Sequence, residues 1–300
     1  MEWLFFIALA IGTENVGGTE VKLIDPRTGD LVSINQVADS LCGSYDVIYF
    51  GEHHDYWKSH KAELELLKAL HERCDSIAVA MEMFERDVQS VLDRYLAGEI
   101  TEEAFLASSR PWPNYKTDYR PIIEFAKANN IPVIAANVPT RIARRVAHNG
   151  RNILDSLPEA ERRWIADTVF YDSKEYRENF FETMQSIGHT GDIASEDVLQ
   201  RFYEAQCLKD ATMAESIIKF LDKHPNYMVL HINGGFHSDY HLGIPYQLKK
   251  LRPDLRIAVI ATISPEEIDS GVGDYLLIDD RKAKPQFKLK NAPKEKTEKN

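Results

Sequence analysis

The stretch Asp46-Val47-Ile48-Tyr49-Phe50-Gly51-Glu52-His53-His54-Asp55-Tyr56 decides the fold. Its first half is a continuous run of β-branched and aromatic residues, the pattern of a strand buried on both faces of a parallel sheet. Its second half is polar and begins with a glycine, as expected where a strand leaves the sheet and meets solvent. Four later runs repeat the first half: SIAVAMEM (76–83), IPVIAAN (131–137), YMVLHIN (227–233) and RIAVIAT (256–262). Helical patterns separate them, the clearest being the apolar stripe Val88, Val91, Leu92, Tyr95 and Leu96. Strand, helix and strand in alternation give an α/β fold, a mainly parallel sheet flanked by helices.

Two additions to this core are expected. Val21 to Ile24 and Leu31 to Ser33 flank Pro26, Gly29 and Asp30, which reads as an N-terminal hairpin, and Ser33 with Gln36 forms a capping box for a short helix. Between the third and fourth core strands lie residues 151–223, a helical pattern rich in aromatics such as Trp164, Phe170, Phe180 and Phe202. So long an insertion reads as a helical cap over the sheet.

The 300 residues, 44% apolar and 28% charged, suit one α/β domain over 21–280. The net charge of −11 argues against nucleic acid as a partner. Residues 281–300 alone carry +6, are expected to be disordered, and read as a solubilising tail, with peripheral contact to an anionic membrane as the alternative. Residues 1–20 hold an apolar run from Trp3 to Ile11, too short to span a bilayer. It reads as a candidate signal segment, with a buried strand as the alternative. Cys42, Cys74 and Cys207 show no metal or disulfide spacing, and their odd number leaves at least one thiol free or bonded to another chain.

In open parallel sheets, ligands sit outside the carboxyl ends of the strands. The polar residues collect there: Glu52, His53 and His54 after the first core strand, Glu82 in the second, Asn137 in the third, and Gly234 to His241 after the fourth. Gly51 to His54 and Gly234 to His237 share the spacing Gly-x-x-His, and a glycine that turns the chain tightly would aim each histidine over the sheet edge. His54, Glu82 and His237 are therefore candidate metal ligands, with Glu52 or Glu82 as base if the chain is a hydrolase. Otherwise His53 or His54 caps the following helix and Glu82 pairs with an arginine.

His241 lies four residues after His237 and, if a helix has begun there, shares its face as a second metal or haem ligand; in an extended loop it is simply exposed. Tyr56 and Tyr240 are candidate haem-iron ligands, or ordinary rim aromatics. Arg141 and Arg145 follow the third strand at helical spacing and would meet carboxylates or propionates at the site mouth, unless they form a solvated face. The loop Pro111-Trp112-Pro113-Asn114-Tyr115 borders the pocket or simply packs. The chain has no GxGxxG after a strand, no Walker loop and no GxSxG elbow, which disfavours dehydrogenase, nucleotide hydrolase and serine hydrolase chemistry.

Gly51-Glu52-His53-His54-Asp55, Met81-Glu82-Met83-Phe84-Glu85-Arg86, Leu92-Asp93-Arg94-Tyr95-Leu96-Ala97-Gly98, Ile131-Pro132-Val133-Ile134-Ala135-Ala136-Asn137-Val138-Pro139, Phe202-Tyr203-Glu204-Ala205-Gln206 and Leu242-Gly243-Ile244-Pro245 together resemble the ChaN-like haem-binding uptake domain of the Tiki superfamily. The resemblance runs from about Val21 to Ile263. It implies an α/β core with paired Gly-x-x-His histidines and a glutamate, the shared roles falling on His54, Glu82 and His237. It also implies haem as ligand, a link to iron uptake, and a homodimer. The expected location is the bacterial envelope or periplasm, or the cytoplasm if the N-terminus is not a signal. The chain departs from the family pattern in lacking a lipid-attachment cysteine and in having Phe236 before His237. The alternative is a metal-dependent hydrolase using manganese, cobalt or zinc, and a third reading is an inert partner-binding domain.

Overall fold

The computed structural model describes residues 21–187, 195–268 and 271–281. The readings of a signal at 1–20 and of a disordered tail beyond Arg281 lie outside them. The chain runs through β1 (Lys22–Asp25), β2 (Asp30–Ser33), α1 (Ile34–Leu41), β3 (Val47–Glu52), α2 (Trp57–Arg73), β4 (Ile77–Glu85), α3 (Gln89–Leu96), α4 (Glu102–Ser109), α5 (Arg120–Ala128), β5 (Val133–Asn137) and α6 (Thr140–Asn149). It continues with α7 (Glu159–Arg162), α8 (Lys174–Ile187), α9 (Glu196–Lys223), β6 (Met228–Gly234), α10 (Ile244–Leu251), β7 (Ile257–Ile263) and β8 (Tyr275–Ile278). Short 3₁₀ and π turns lie between these elements.

One eight-stranded sheet has the order β2-β1-β8-β7-β3-β6-β4-β5. Strands β8, β7, β3, β6, β4 and β5 run parallel, and the hairpin β1–β2 joins antiparallel through Ile24 opposite Leu276. β8 is the strand the sequence did not announce; β1 and β2 are as short but are marked by the hairpin turn between them, which β8 lacks. The capping box of Ser33 and Gln36 starts α1. β3, β4 and β6 are buried almost throughout, as central strands covered by helices on both faces must be. One face packs on α1, α2, α3 and α5 and the other on α9 and α10. Each large apolar side chain so buried contributes about 1.5–3 kcal/mol.

The segment between β5 and β6 performs two tasks. Met213, Ala214, Ile217 and Leu221 on the second half of α9 pack on Val47, Tyr49, Ala78 and Val229, so that half is the crossover helix of the βαβ unit. The rest is the cap: Tyr176, Phe180, Tyr203 and Cys207 form a separate aromatic cluster with Leu242, against which Phe236 packs. Arg86, just beyond β4, ties both parts down. Its guanidinium donates to Ser216 Oγ at 2.7 Å, the Thr212 carbonyl at 2.7 Å, the Ile165 carbonyl at 3.1 Å and Glu215 at 2.9 Å.

At the sheet's far edge, Gln89 Nε2 donates to the Val133 carbonyl at 2.8 Å, and its Oε1 accepts from Ala135 N–H at 2.6 Å. Those two groups flank Ile134, so the carboxamide occupies the place of a peptide group in a parallel neighbour. Cys42 and Cys74, which close α1 and α2, form a disulfide that their spacing did not reveal, and Cys207 is the free, buried thiol.

Candidate functional site

The two Gly-x-x-His turns interlock. A Cβ on Gly234 would stand 2.7 Å from the His54 ring, and one on Gly51 would stand 3.0 Å from both Gly235 Cα and Ser238 Oγ and 3.1 Å from Asp239 Oδ1. Neither glycine has a positive φ. The expectation that each glycine serves a tight turn is therefore corrected: each makes room for the other motif. The glycine after β6 admits the histidine after β3, and the glycine of β3 admits the residues just beyond His237.

Around this interlock, three imidazoles each place Nδ1 on a carboxylate. His54 Nδ1 lies 2.5 Å from Glu52 Oε1, His53 Nδ1 lies 2.8 Å from Asp279 Oδ2, and His237 Nδ1 contacts Asp210 on α9. His237 Nε2 lies 3.1 Å from Glu82 Oε1, and the other oxygen of Glu82 accepts the Gly234 N–H at 2.8 Å. Asp210 also accepts from Tyr176 OH in the cap at 2.7 Å. Neither His53 nor His54 caps α2, whose first turn has no side-chain cap.

The electrostatics follow from this wiring. Burial resists the charged form of His237, but Glu82 and Asp210 outweigh it and raise its pKa to about 9. Burial likewise resists ionisation of Glu82, yet the charge and hydrogen bond of His237, then Lys209 and His54, hold its carboxyl well below the usual range. His237 is thus an imidazolium wedged between two carboxylates at neutral pH, with no lone pair to offer. His54 also titrates above its ordinary value, since Glu52 and Glu82 outweigh burial. Asp239, on the same cleft, is pushed up to about 7 by burial and Glu267.

These groups floor a cleft of about 670 Å³. Its floor and rim include Glu52, His53, His54, Glu82, Lys209, His237 and Tyr240, and its walls include Trp112, Phe180, Met184, Phe236 and Val272. Trp112, from the Pro-Trp-Pro loop, meets His54 edge to face at 4.9 Å between ring centres. A groove of similar size, about 700 Å³, lies along the β5 edge and shares no lining residue with the cleft.

His54, Glu82 and His237 thus share one cleft, but their donor atoms do not form a metal-sized group. Among the described residues, the only three-ligand set within 4.8 Å is Glu52, His60 and Glu63. Tyr240 lines the cleft, in a left-handed conformation with φ 60°. Five residues named from sequence serve elsewhere. Tyr56 is turned under the sheet end as α2 begins, fully buried, donating to the Ile278 carbonyl at 3.0 Å and Asp280 at 2.9 Å. His241 pairs with Asp274 at 3.2 Å, and left-handed φ values at both Tyr240 and His241 break the helical spacing that would align it with His237. Arg141 bonds Asp87 at 2.6 Å and Glu161, and Arg145 bonds Glu161 at 2.9 Å, so both belong to a surface ion-pair cluster. Asn137 bonds the Glu82 carbonyl and the Val138 N–H, a structural role. Asp210, Tyr176 and Tyr119, whose hydroxyl donates to Glu52 Oε1 at 2.6 Å, were not foreseen, because they sit on helices and turns that a search of strand ends passes over.

The two Gly-x-x-His motifs of a parallel α/β sheet meet beside a buried glutamate, and the family model that matches this chain is of the Tiki superfamily. The chain belongs to the family of haem-binding uptake proteins of that superfamily, ChaN, whose model matches residues 41–248. Among solved structures it is similar to ChaN of Campylobacter jejuni, described as binding haem cofacially, with TM-score 0.66, 20% identity, and coverage of 86% of this chain and 96% of that one. A mutant of the erythromycin esterase EreC in its open conformation gives TM-score 0.49 at 12% identity, covering 81% of this chain and 76% of that one. The chloroplastic protein RETICULATA-RELATED 5 of Arabidopsis thaliana is 23% identical over 239 residues, 71% of this chain but 31% of that protein's length.

Proposed function

We propose that this chain binds haem in the cleft, in the service of iron or haem uptake at a bacterial envelope. The observation that carries the reading is the pairing of an apolar wall with an oriented donor. His54 Nδ1 is fixed on Glu52, which leaves Nε2 as the nitrogen not held by that carboxylate, and the side chain, 44% exposed, lines the cleft. A carboxylate on the far nitrogen both orients an imidazole and raises its basicity toward a metal. The phenol of Tyr240 is the second donor on the cleft, and both residue types ligate haem iron. Phe180, Met184, Phe236 and Trp112 supply the apolar surface that a flat, largely apolar group needs. Bound there, haem would supply an iron centre for storage or transfer; His54 and Tyr240 would hold it, and the cap would exclude water. Arg141 and Arg145 take no part in this reading.

Titration with haemin tests it: a saturable Soret shift is expected, weakened at least tenfold in the double variant His54→Ala, Tyr240→Phe. A spectrum identical in wild type and double variant overturns the site. A cleft open to solvent also suits closure by a second copy of the chain, so haemin is expected to raise the apparent mass in gel filtration.

A second reading, a metal-dependent hydrolase, draws support from the chain of Tyr176, Asp210, His237 and Glu82. In that reading the imidazolium of His237 donates a proton to a leaving group, and Glu52 or Glu82 draws one from water. Ester or peptide turnover that depends on manganese, cobalt or zinc would establish it; no turnover by the folded chain across a broad screen of peptides and esters would count heavily against it.

A further inference from the structure

Beneath the cleft floor, Glu52 at the end of β3 faces His60 and Glu63 from the first turns of α2, and none of the three is more than 6% exposed. Their donor atoms lie within 4.8 Å of one another. His60 Nδ1 is 3.0 Å from Glu52 Oε2 and 3.3 Å from Glu63 Oε2. The other imidazole nitrogen settles the tautomer. His60 Nε2 lies 3.1 Å from the His54 carbonyl oxygen, and a carbonyl only accepts, so Nε2 carries a hydrogen. Nδ1 then either bears a second proton or directs a lone pair at two carboxylates.

Two observations point to a cation rather than a proton at that focus. Glu63 Oε1 is sealed from solvent and has no hydrogen-bond partner, so the carboxylate pair keeps a buried acceptor that no proton donor satisfies. The outer contacts are those that metal-binding residues use: a backbone carbonyl on the far nitrogen of His60, and Tyr119 OH donating to Glu52 Oε1 at 2.6 Å. A π-helical turn over Tyr115–Tyr119 carries that tyrosine.

We propose that Glu52, His60 and Glu63 hold a divalent transition-metal ion of the zinc or manganese class, bound by one imidazole nitrogen and two carboxylate oxygens. Glu52 also lines the cleft, which gives the ion its route in. The site is independent of haem, since it uses Nδ1 of His60 and the face of Glu52 turned away from His54.

The full chain, incubated with zinc(II) or manganese(II) chloride and dialysed, is assayed for metal by mass spectrometry and for melting temperature. Wild type is expected to keep a stoichiometric ion and to melt higher with it. Glu63→Gln is the decisive variant, because a carboxamide mimics the protonated acid but is a poor anionic donor. It is expected to retain metal roughly tenfold or more less tightly. Glu63→Asp gives a second, less perturbing test, and circular dichroism checks the fold of both. His54→Ala is expected to keep the ion. No retention by wild type, equal retention by Glu63→Gln, or loss of the ion in His54→Ala instead overturns the proposal, whatever the haemin titration shows.

Discussion

The two Gly-x-x-His motifs have one spacing and two electrostatic fates. His54 stands at the cleft with a side chain 44% exposed, backed at Nδ1 by a carboxylate from its own strand. His237 is 7% exposed and engaged at both nitrogens, by Asp210 from a cap-bearing helix and Glu82 from a neighbouring strand. The same four-residue pattern thus produces an available imidazole in one place and a locked imidazolium in the other. Spacing sets where a side chain starts, and the elements packed against it set what it can do.

The largest expected effect separates the two directly. His237→Ala leaves Glu82 and Asp210 buried without their shared cation, at a cost of about 3–5 kcal/mol. His54→Ala removes a half-exposed partner of Glu52 and should cost about 1 kcal/mol. Urea denaturation of the two variants measures both; equal losses would dissolve the contrast.

Next comes pH. The folded-state pKa of His237 is raised, to about 9, so its stabilising effect is complete below the unfolded value of roughly 6.5 and is lost as pH rises through about 9. Glu82, depressed, gives the opposite limb, with stability lost in acid. Wild type is expected to lose on the order of 3 kcal/mol across the alkaline window. His237→Gln should remove most of that slope, and His54→Ala, whose imidazole is also raised, should remove less of it.

Gly234→Ala drives a methyl into the His54 ring, and such overpacking costs about 1–3 kcal/mol. Because it displaces the available imidazole, haemin affinity should fall with stability, whereas a loss of stability alone would detach His54 from the ligand site. Last is Tyr176→Phe, which deletes one hydrogen bond to Asp210 and should cost about 1.5 kcal/mol while leaving His54 unaffected.

Much of this was legible in the residues. The core strands show as apolar runs, and the rule that ligands gather at their carboxyl ends leads to Glu52, His54, Glu82 and His237. What escaped is what long-range packing decides. Asp210 lies mid-way along a 28-residue helix with nothing local to mark it, and it reaches His237 only because α9 crosses the sheet. Tyr56 and His241 stand beside the right histidines in sequence, but a helix start turns the first inward and two left-handed residues turn the second aside. Arg141 and Arg145 sit at suitable helical spacing, yet Asp87 and Glu161 lie nearer than the cleft. Direction, more than position, was missing.

The carboxamide of Gln89 bears on how the molecule behaves in crowded solution. β5 ends the sheet, and a terminal strand with open N–H and C=O groups invites the same strand of another molecule to extend the array. Gln89 spends its one side-chain amide on the groups flanking Ile134, so the repeat stops after the eighth strand. Removing that stopper, as in Gln89→Ala, changes no charge and creates no large void, yet it should turn a self-limited particle into one that grows, seen as light scattering that climbs with concentration and time.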